Sequence, residues 1–148
     1  MKRFALYLVL AIIPQTALAA EKVTGTDFFV VDQQDWETGD NAGYWIWHGQ
    51  GVSRPQTGPL ESEAIDCHGA GFWDDDKYWG EGICVHGEGD DTRTSSWKKE
   101  KGQEMGQWKI LTGTGKYKGM TGQGTYKSTP LAGDYQVSES EGEITMGQ

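Results

Sequence analysis

Two cysteines and three histidines carry the most distinctive chemistry in this sequence. Cys67 and Cys84 flank the acidic stretch 74–76, and a hairpin centred between Asp75 and Asp76 places the two cysteines opposite each other. Facing cysteines in an oxidising compartment form a disulfide. The sequence therefore predicts a Cys67–Cys84 disulfide, and closing about eighteen residues stabilises a fold by roughly 3 kcal/mol in the chain-entropy model.

A metal site built from the same segment is the alternative, because His68 follows Cys67 and His86 lies two residues after Cys84. Successive side chains of a strand point to opposite faces, so Cys67, Cys84 and His86 share one face and His68 points to the other. An oxidised cysteine pair also offers no thiolate ligand. We therefore predict no metal site and no cofactor. His48 is a candidate catalytic base together with His68 or His86, or else a surface or purely structural histidine.

Aromatic side chains offer a second kind of binding chemistry, since the chain has seven Trp, six Tyr and four Phe. Trp45 and Trp47 occupy one face of an extended segment, and Gly49 and Gly51 continue that face. A ring-lined interior suits an apolar or planar ligand, or a sugar stacked on indole. The alternative is that the tryptophans only fill the space left by 22 glycines. The predicted ligand-binding residues are Trp45, Trp47, Trp79, Trp97, Trp108 and Tyr126.

The acidic runs at 74–76 and 88–91 contain hard oxygen ligands of the kind that calcium prefers. Neither run has the spaced loop and terminal glutamate of a calcium hand, and acidic hairpin tips usually serve solubility. The sequence has no Gly-x-Ser-x-Gly elbow and no recognisable Ser/His/Asp set. An enzyme would need a buried polar residue among the rings, for which Glu63, His48 and His86 are the candidates.

Short extended segments must position all of these residues. No eleven-residue window has helical apolar spacing, and Gly, Asp, Asn and Pro punctuate short alternating runs, with 54–59 predicted as a loop. Closely spaced strands without helices between them indicate an antiparallel meander, and closure removes its exposed edges. The sequence predicts an all-β, eight-stranded antiparallel barrel, with a two-sheet β-sandwich as the alternative. The predicted strands are 23–31, 44–51, 60–72, 79–87, 92–99, 105–112, 122–127 and 135–146.

The glycine-rich segment 108–126 has the most distinctive local pattern. Gly113 and Gly115 permit backbone angles that a Cβ forbids, and Thr114 is placed to cap a short helical turn over 116–119. Gly122 and Gly124 lie two residues apart on one face of the next strand. Such a bare face admits a neighbouring backbone or an aromatic ring laid flat.

This segment resembles the corresponding part of the allene oxide cyclase-like barrels and the dirigent proteins, which carry Gly-Thr-Gly-x-(Tyr/Phe), a short turn and a glycine-containing strand. It is similar also to small bacterial secreted proteins with GTGKYxGMTGxGTY near the C-terminus, preceded by two cysteines. The resemblance implies an eight-stranded calycin-like barrel, often oligomeric in the plant families, so a homo-oligomer is expected. The catalytic residues of the plant enzymes match no positions here, so cyclase activity is not implied.

The first residues have the pattern of a secretory signal peptide. Lys2 and Arg3 precede the apolar run 4–13, and Ala17-Leu18-Ala19 forms the cleavage site. We predict cleavage after Ala19, so that 1–19 is a signal peptide and 20–148 is a single β-barrel domain, periplasmic or secreted. No later segment is apolar enough to predict membrane insertion.

The charge and the residue types together narrow the function. A formal net charge of −9 gives no cationic footprint, so nucleic acid is not an expected partner. Ring-rich strands without a convergent catalytic set indicate an exported protein that binds a small apolar or aromatic ligand without catalysis. One alternative is a cyclase or isomerase acting on a lipid-like substrate in the barrel. Another is an acidic interaction module for a cationic partner.

Overall fold

The computed structural model describes residues 19–147, so the predicted signal peptide lies outside the described residues except for Ala19. Eight antiparallel strands form a closed barrel in which each strand pairs with its neighbours in sequence and β1 also pairs with β8. This closure confirms the predicted barrel and not the sandwich. The strands are β1 (Glu21–Gly39), β2 (Ala42–Thr57), β3 (Glu63–Asp74), β4 (Lys77–Glu88), β5 (Asp91–Lys99), β6 (Gly106–Gly113), β7 (Thr121–Pro130) and β8 (Tyr135–Thr145).

The meander gives the barrel two ends of different construction. The upper end carries the β1–β2, β3–β4, β5–β6 and β7–β8 connections. The lower end carries the remaining connections, including a 3-10 helix at Gly115–Tyr117 between β6 and β7. Within residues 19–147, no helix has the length and apolar character needed to cross a bilayer.

The β2 strand is longer than predicted. The prediction of a loop at 54–59 is wrong for residues 54–57, which belong to β2. Pro55 lies inside β2 and pairs with Gly25 of β1, next to a register shift between Thr24 and Gly25. Proline donates no backbone hydrogen bond, and sheets tolerate it at such irregular positions. The strand therefore continues through the proline to Thr57.

The predicted helical turn near Thr114 is present, but its predicted cap is wrong. The turn is a 3-10 helix, Gly115–Tyr117, and the Thr114 side chain makes no capping hydrogen bond. The Thr114 hydroxyl instead donates to the carbonyl oxygen of Asp90, with an Oγ1–O distance of 2.7 Å. This bond ties the β6–β7 connection to the β4–β5 turn at the lower end of the barrel.

The disulfide prediction is confirmed. Cys67 of β3 pairs in register with Cys84 of β4, and their sulfurs are 2.00 Å apart. Asp75 has a positive φ of 55° in the turn between these strands, where the hairpin was predicted. Cys67, Cys84 and His86 are buried on the inner face, while His68 is exposed on the outer face, as strand alternation requires.

Cross-strand glycine pairs make room for the indole rings inside the barrel. A Cβ on Gly71 would lie 2.5 Å from the Trp45 ring, and a Cβ on Gly82 would lie 2.5 Å from the Trp97 ring. A Cβ on Gly124 would lie 2.7 Å from Trp108, so the ring contact expected for this bare face is present. The paired glycines are Gly71 with Gly80, Gly69 with Gly82, and Gly124 with Gly142.

Candidate functional site

The barrel encloses a cavity of about 570 Å³, within the range that small-molecule ligands occupy. At the upper end its lining reaches the exposed residues Tyr78, Glu104 and Pro130, so the cavity opens there. At the lower end Tyr117 and Met120, 2% and 3% exposed, pack with buried aliphatic residues of the strands. The cavity is therefore a pocket with one mouth and not a channel.

Trp97 of β5 is the centre of an aromatic cluster in the pocket. Its ring lies parallel to Trp45 at a centroid separation of 6.2 Å and edge-on to Trp47 at 6.0 Å. Tyr126, from β7, meets Trp97 edge-on at 6.4 Å, and Phe29 meets Trp47 at 5.6 Å. Rings from four strands therefore face one another, and the cavity remains open beside them.

All six residues predicted to bind ligand line the cavity. The Trp45 and Trp108 indole nitrogens donate to the carbonyl oxygens of Phe72 and Thr125, both at 3.2 Å, which fixes the two rings against the wall. Trp79 differs from the other five because it lies at the upper rim. Its ring is 6.0 Å from the exposed Phe72 ring, and the Lys101 ammonium lies 4.6 Å from its centroid.

A buried ionic network lies below the rings. The Arg93 Nε donates to Glu63 Oε1 at 2.9 Å, and the Tyr117 hydroxyl donates to Glu63 Oε2 at 2.9 Å. The side chains of Glu63 and Arg93 are 8% and 7% exposed. A buried charge pair is retained when both partners are hydrogen-bonded, which is the arrangement here. Among the described residues Arg93 Nη1 has no hydrogen-bond partner, so it is a donor available at the cavity wall.

His86 links this network to the cavity. Its Nδ1 accepts a hydrogen bond of 2.9 Å from Arg93 Nη2, and its Nε2 lies 3.3 Å from Ser95 Oγ. Because arginine only donates, Nδ1 is unprotonated and Nε2 donates to the serine. Burial, together with the Arg93 charge, lowers the pKa of the His86 imidazole well below its usual value of 6.5. His86 is therefore neutral at neutral pH, and the Ser95 hydroxyl hydrogen is free to face the cavity.

Asp27 of β1 places a carboxyl on the wall of the pocket across from Arg93 of β5. Burial raises the pKa of this carboxyl above its usual value of 3.8, and hydrogen bonding to Ser53 and the Arg93 charge oppose the rise. A carboxyl with a raised pKa in an apolar pocket has the character of a general acid or base. It is also a strong partner for a ligand hydroxyl.

The inward polar residues Asp27 and Arg93 were not predicted as site residues, although strand alternation could have found them. Asp27 lies two residues before the buried Phe29, and Arg93 lies in step with Ser95 and Trp97. Charged residues at inward positions of a barrel strand are uncommon unless they are paired or functional. The other buried polar residues that line the cavity and were not predicted are Ser53, Ser95 and Ser138.

The fold brings two of the three catalytic candidates together and separates the third. His86 Nδ1 lies 3.9 Å from Glu63 Oε1, and of the two only His86 lines the cavity. His48 does not lie among the rings, because it points outward from β2 and contacts Asp66 and His68 on the outer wall. A catalytic pairing of His48 with His86 was therefore wrong: the barrel wall separates them.

The fold and the site define a closed eight-stranded β-barrel with a ligand-sized pocket, whose aromatic cluster lies nearer the mouth than the polar side chains of its floor. The apolar residues Val23, Ile65 and Ile144 also line the floor. No protein-family model matches the chain, and no curated protein matches it. Among solved structures, the chain is similar to the pterocarpan synthase dirigent protein, with a TM-score of 0.49 and 10% sequence identity. The match covers 97% of this chain and 99% of that chain. The closed order of its own strands, β1 to β8, defines the fold of this chain.

Proposed function

We propose that the barrel binds one small, uncharged molecule with a planar or apolar body and a hydroxyl or carbonyl group. The observation that supports this most directly is the one-mouthed cavity of about 570 Å³, which the inward rings of five predicted residues line and which Trp79 borders at the rim. Indole and phenol rings provide large contact areas with little loss of side-chain entropy. A ligand body therefore packs against Trp45, Trp97 and Tyr126.

The polar floor determines which ligand group is accommodated. Arg93 is already paired with Glu63, and His86 is neutral, so the floor has no unpaired cation to attract an anion. The Asp27 carboxyl can accept a hydrogen bond from a ligand hydroxyl. Arg93 Nη1 and the Ser95 hydroxyl can donate hydrogen bonds to a ligand oxygen. Desolvating an uncharged hydroxyl costs far less than desolvating an ion. The best-matched ligand is therefore neutral, with its oxygen at the floor.

A matched pair of probes tests this proposal. Purified protein is titrated with naphthalene and with 2-naphthol, and intrinsic tryptophan fluorescence is followed. We expect saturable 1:1 binding of both compounds and tighter binding of 2-naphthol, because only the hydroxyl meets the polar floor. Absence of saturable binding by either compound, and by a panel of larger apolar probes, would contradict the proposal.

A second candidate function is catalysis of a cyclisation or isomerisation of a lipid-like substrate. It is favoured by Asp27, a carboxyl of raised pKa that faces an apolar pocket and has no salt bridge of its own among the described residues. Incubating candidate substrates in D₂O would reveal proton transfer to carbon as a product one mass unit heavier. Asp27→Asn is expected to abolish that incorporation while 2-naphthol still binds. Unchanged deuterium uptake in the variant removes Asp27 from this role.

Export is proposed for the same protein, supported by the Cys67–Cys84 disulfide, which persists in oxidising compartments. Expression of the full chain in a Gram-negative host should deliver the protein to the periplasm. N-terminal sequencing is expected to start at Ala20. A cytoplasmic product that retains residue 1 would contradict the proposed cleavage.

A further inference from the structure

The outer wall of the barrel carries a group of three side chains that the cavity does not use. His48 of β2 lies directly opposite His68 of β3, and Asp66 lies two residues before His68 on the same outward face. The two imidazole rings are parallel, with centroids 4.2 Å apart. We name His48, Asp66 and His68 the outer-wall triad.

The nitrogen atoms of the triad converge on one oxygen atom. His48 Nε2 lies 3.2 Å from Asp66 Oδ1, and His68 Nε2 lies 3.0 Å from the same oxygen. One ligand atom from each residue lies within 4.8 Å of the others. Ligands held about 2.05 Å from a tetrahedral metal ion are about 3.3 Å apart, so both nitrogen–oxygen distances are compatible with a shared ion. Because the two rings are parallel, their in-plane lone pairs do not meet, and the exposed His68 ring must turn about its side-chain bonds when the ion binds.

We propose that the outer-wall triad binds a divalent transition metal ion of the zinc or copper type, through the Nε2 atoms of His48 and His68 and a carboxylate oxygen of Asp66. Imidazole is a preferred ligand for Zn²⁺ and Cu²⁺, whereas Ca²⁺ and Mg²⁺ require mainly oxygen ligands. Three protein ligands leave room for water in the remaining position. The His68 side chain is 70% exposed, so the ion reaches the site from solvent.

The surrounding structure fixes the Asp66 carboxylate and the β3 backbone beneath the triad. Gln50 Nε2 donates to Asp66 Oδ2 at 2.8 Å, which orients the carboxylate and leaves Oδ1 directed at the two histidines. Cys67, between Asp66 and His68, is fully buried and disulfide-bonded to β4, so the β3 backbone beneath the site is covalently fixed. Residues that hydrogen-bond to metal ligands, as Gln50 does here, orient those ligands. Their loss typically weakens metal binding about 10- to 100-fold.

Strand alternation places His68 on the outer face, away from the cysteines. The β2–β3 register then places it next to His48. The site lies on the face opposite Cys67, Cys84 and His86, and one of its ligands, His48, belongs to another strand. Only the β2–β3 register, which pairs His48 with His68, reveals it. The triad and the pocket lie on opposite sides of the wall, so this proposal is independent of the proposed ligand binding.

Metal titration of the purified protein tests the proposal. Zn²⁺, Cu²⁺, Ca²⁺ and Mg²⁺ are titrated separately by calorimetry, with near-UV circular dichroism of the tryptophans as the measure of folding. We expect 1:1 binding of Zn²⁺, tighter binding of Cu²⁺ in line with the general affinity order, and no binding of Ca²⁺ or Mg²⁺. Uptake of Ca²⁺ with the same stoichiometry, or no uptake of either transition metal, would overturn the assignment.

Variants distinguish the triad from non-specific metal uptake. His48→Gln and His68→Gln are each expected to weaken Zn²⁺ binding by about tenfold or more, and Gln50→Ala by about tenfold. Glu81→Gln is the matched control, because Glu81 is an exposed acid on the neighbouring strand and outside the triad. Paramagnetic resonance of the Cu²⁺ complex should show two coordinated nitrogens in the parent and one in either histidine variant. Equal Zn²⁺ affinity in the parent and in the His48→Gln/His68→Gln double variant rules the site out.

Discussion

Arg93 illustrates how one buried side chain can organise a polar floor inside an otherwise apolar barrel. It donates to Glu63 and to His86, and these two contacts set the Glu63 orientation and the His86 tautomer. Glu63 in turn accepts from Tyr117, whose ring closes the lower end. Burying the ions removes their hydration, so the arrangement depends on every partner being present.

Arg93→Met is expected to lower the free energy of unfolding by about 3–5 kcal/mol, because it leaves the Glu63 carboxylate buried without its cation. The double variant Arg93→Met/Glu63→Gln removes the stranded charge and should recover a large part of that loss, since Tyr117 can still donate to the glutamine oxygen. Urea denaturation of the two variants measures both values. Additive losses in the double variant would show that the pair is not coupled.

Asp27 makes stability depend on pH in the direction opposite to an ordinary salt-bridged acid. The pKa of the Asp27 carboxyl is higher in the folded than in the unfolded state. Its contribution to the free energy of unfolding is therefore complete at pH values below the unfolded-state pKa, and it is lost as the pH rises through the folded-state pKa. Asp27→Asn should therefore raise the unfolding temperature at pH 7, with this gain disappearing below about pH 4. Thermal unfolding between pH 3 and pH 8 measures it. A variant less stable than the parent at pH 7 would mean that Asp27 is held by partners favouring its charge.

At the scale of the strands, glycine and tryptophan positions are matched across the sheet. Gly71 faces Gly80 across the β3–β4 ladder, and the Trp45 ring lies over this bare pair. The same arrangement places Trp97 over Gly69 and Gly82. Glycine and tryptophan positions are therefore complementary: the large indole rings fit inside a narrow barrel because the backbone that they face carries no side chains.

Gly71→Ala tests that packing. The new Cβ would lie 2.0 Å from the Trp79 carbonyl oxygen and 2.5 Å from the Trp45 ring, so backbone and ring must both move. We expect the free energy of unfolding to fall by about 1–3 kcal/mol. Gly39→Ala serves as the control, because a Cβ there meets nothing within 4 Å, and its stability should be close to that of the parent. Equal stability of the two variants would mean that the ring does not depend on the bare backbone.

Elements governed by local pattern were predictable from the sequence, and those governed by register were not. The Cys67–Cys84 hairpin followed from a turn midway between two cysteines, and the inward faces of Trp45 and Trp47 followed from alternation. Continuation of β2 through Pro55 was missed, because the sequence does not show the irregular β1–β2 register that tolerates proline there. The outer-wall triad also depends on register between strands, which alternation within one strand does not specify.

At the scale of the whole molecule, the barrel is asymmetric from end to end. Along β5 the inward residues run from Arg93 through Ser95 and Trp97 to Lys99, from the closed end to the mouth. A ligand of the proposed kind would therefore pass the aromatic cluster before it reaches Ser95 and Arg93. Such an order suits a pocket that accepts an apolar body and then selects for a polar group at its tip.

Filling the cavity tests whether this hollow is the binding site. Ser140 lines the cavity, and within residues 19–147 its side chain makes only a long 3.5 Å hydrogen bond, to the Gly25 carbonyl oxygen. Ser140→Phe therefore places a ring in the cavity with little loss of existing contacts. We expect 2-naphthol binding to weaken at least tenfold, while the free energy of unfolding stays the same or rises by about 0.5–2 kcal/mol. Ser96→Phe is the control, because Ser96 follows the buried Ser95 and faces outward, and it should leave binding unchanged. Full 2-naphthol affinity in a folded Ser140→Phe protein would place the probe outside the barrel and remove the cavity from the proposed function.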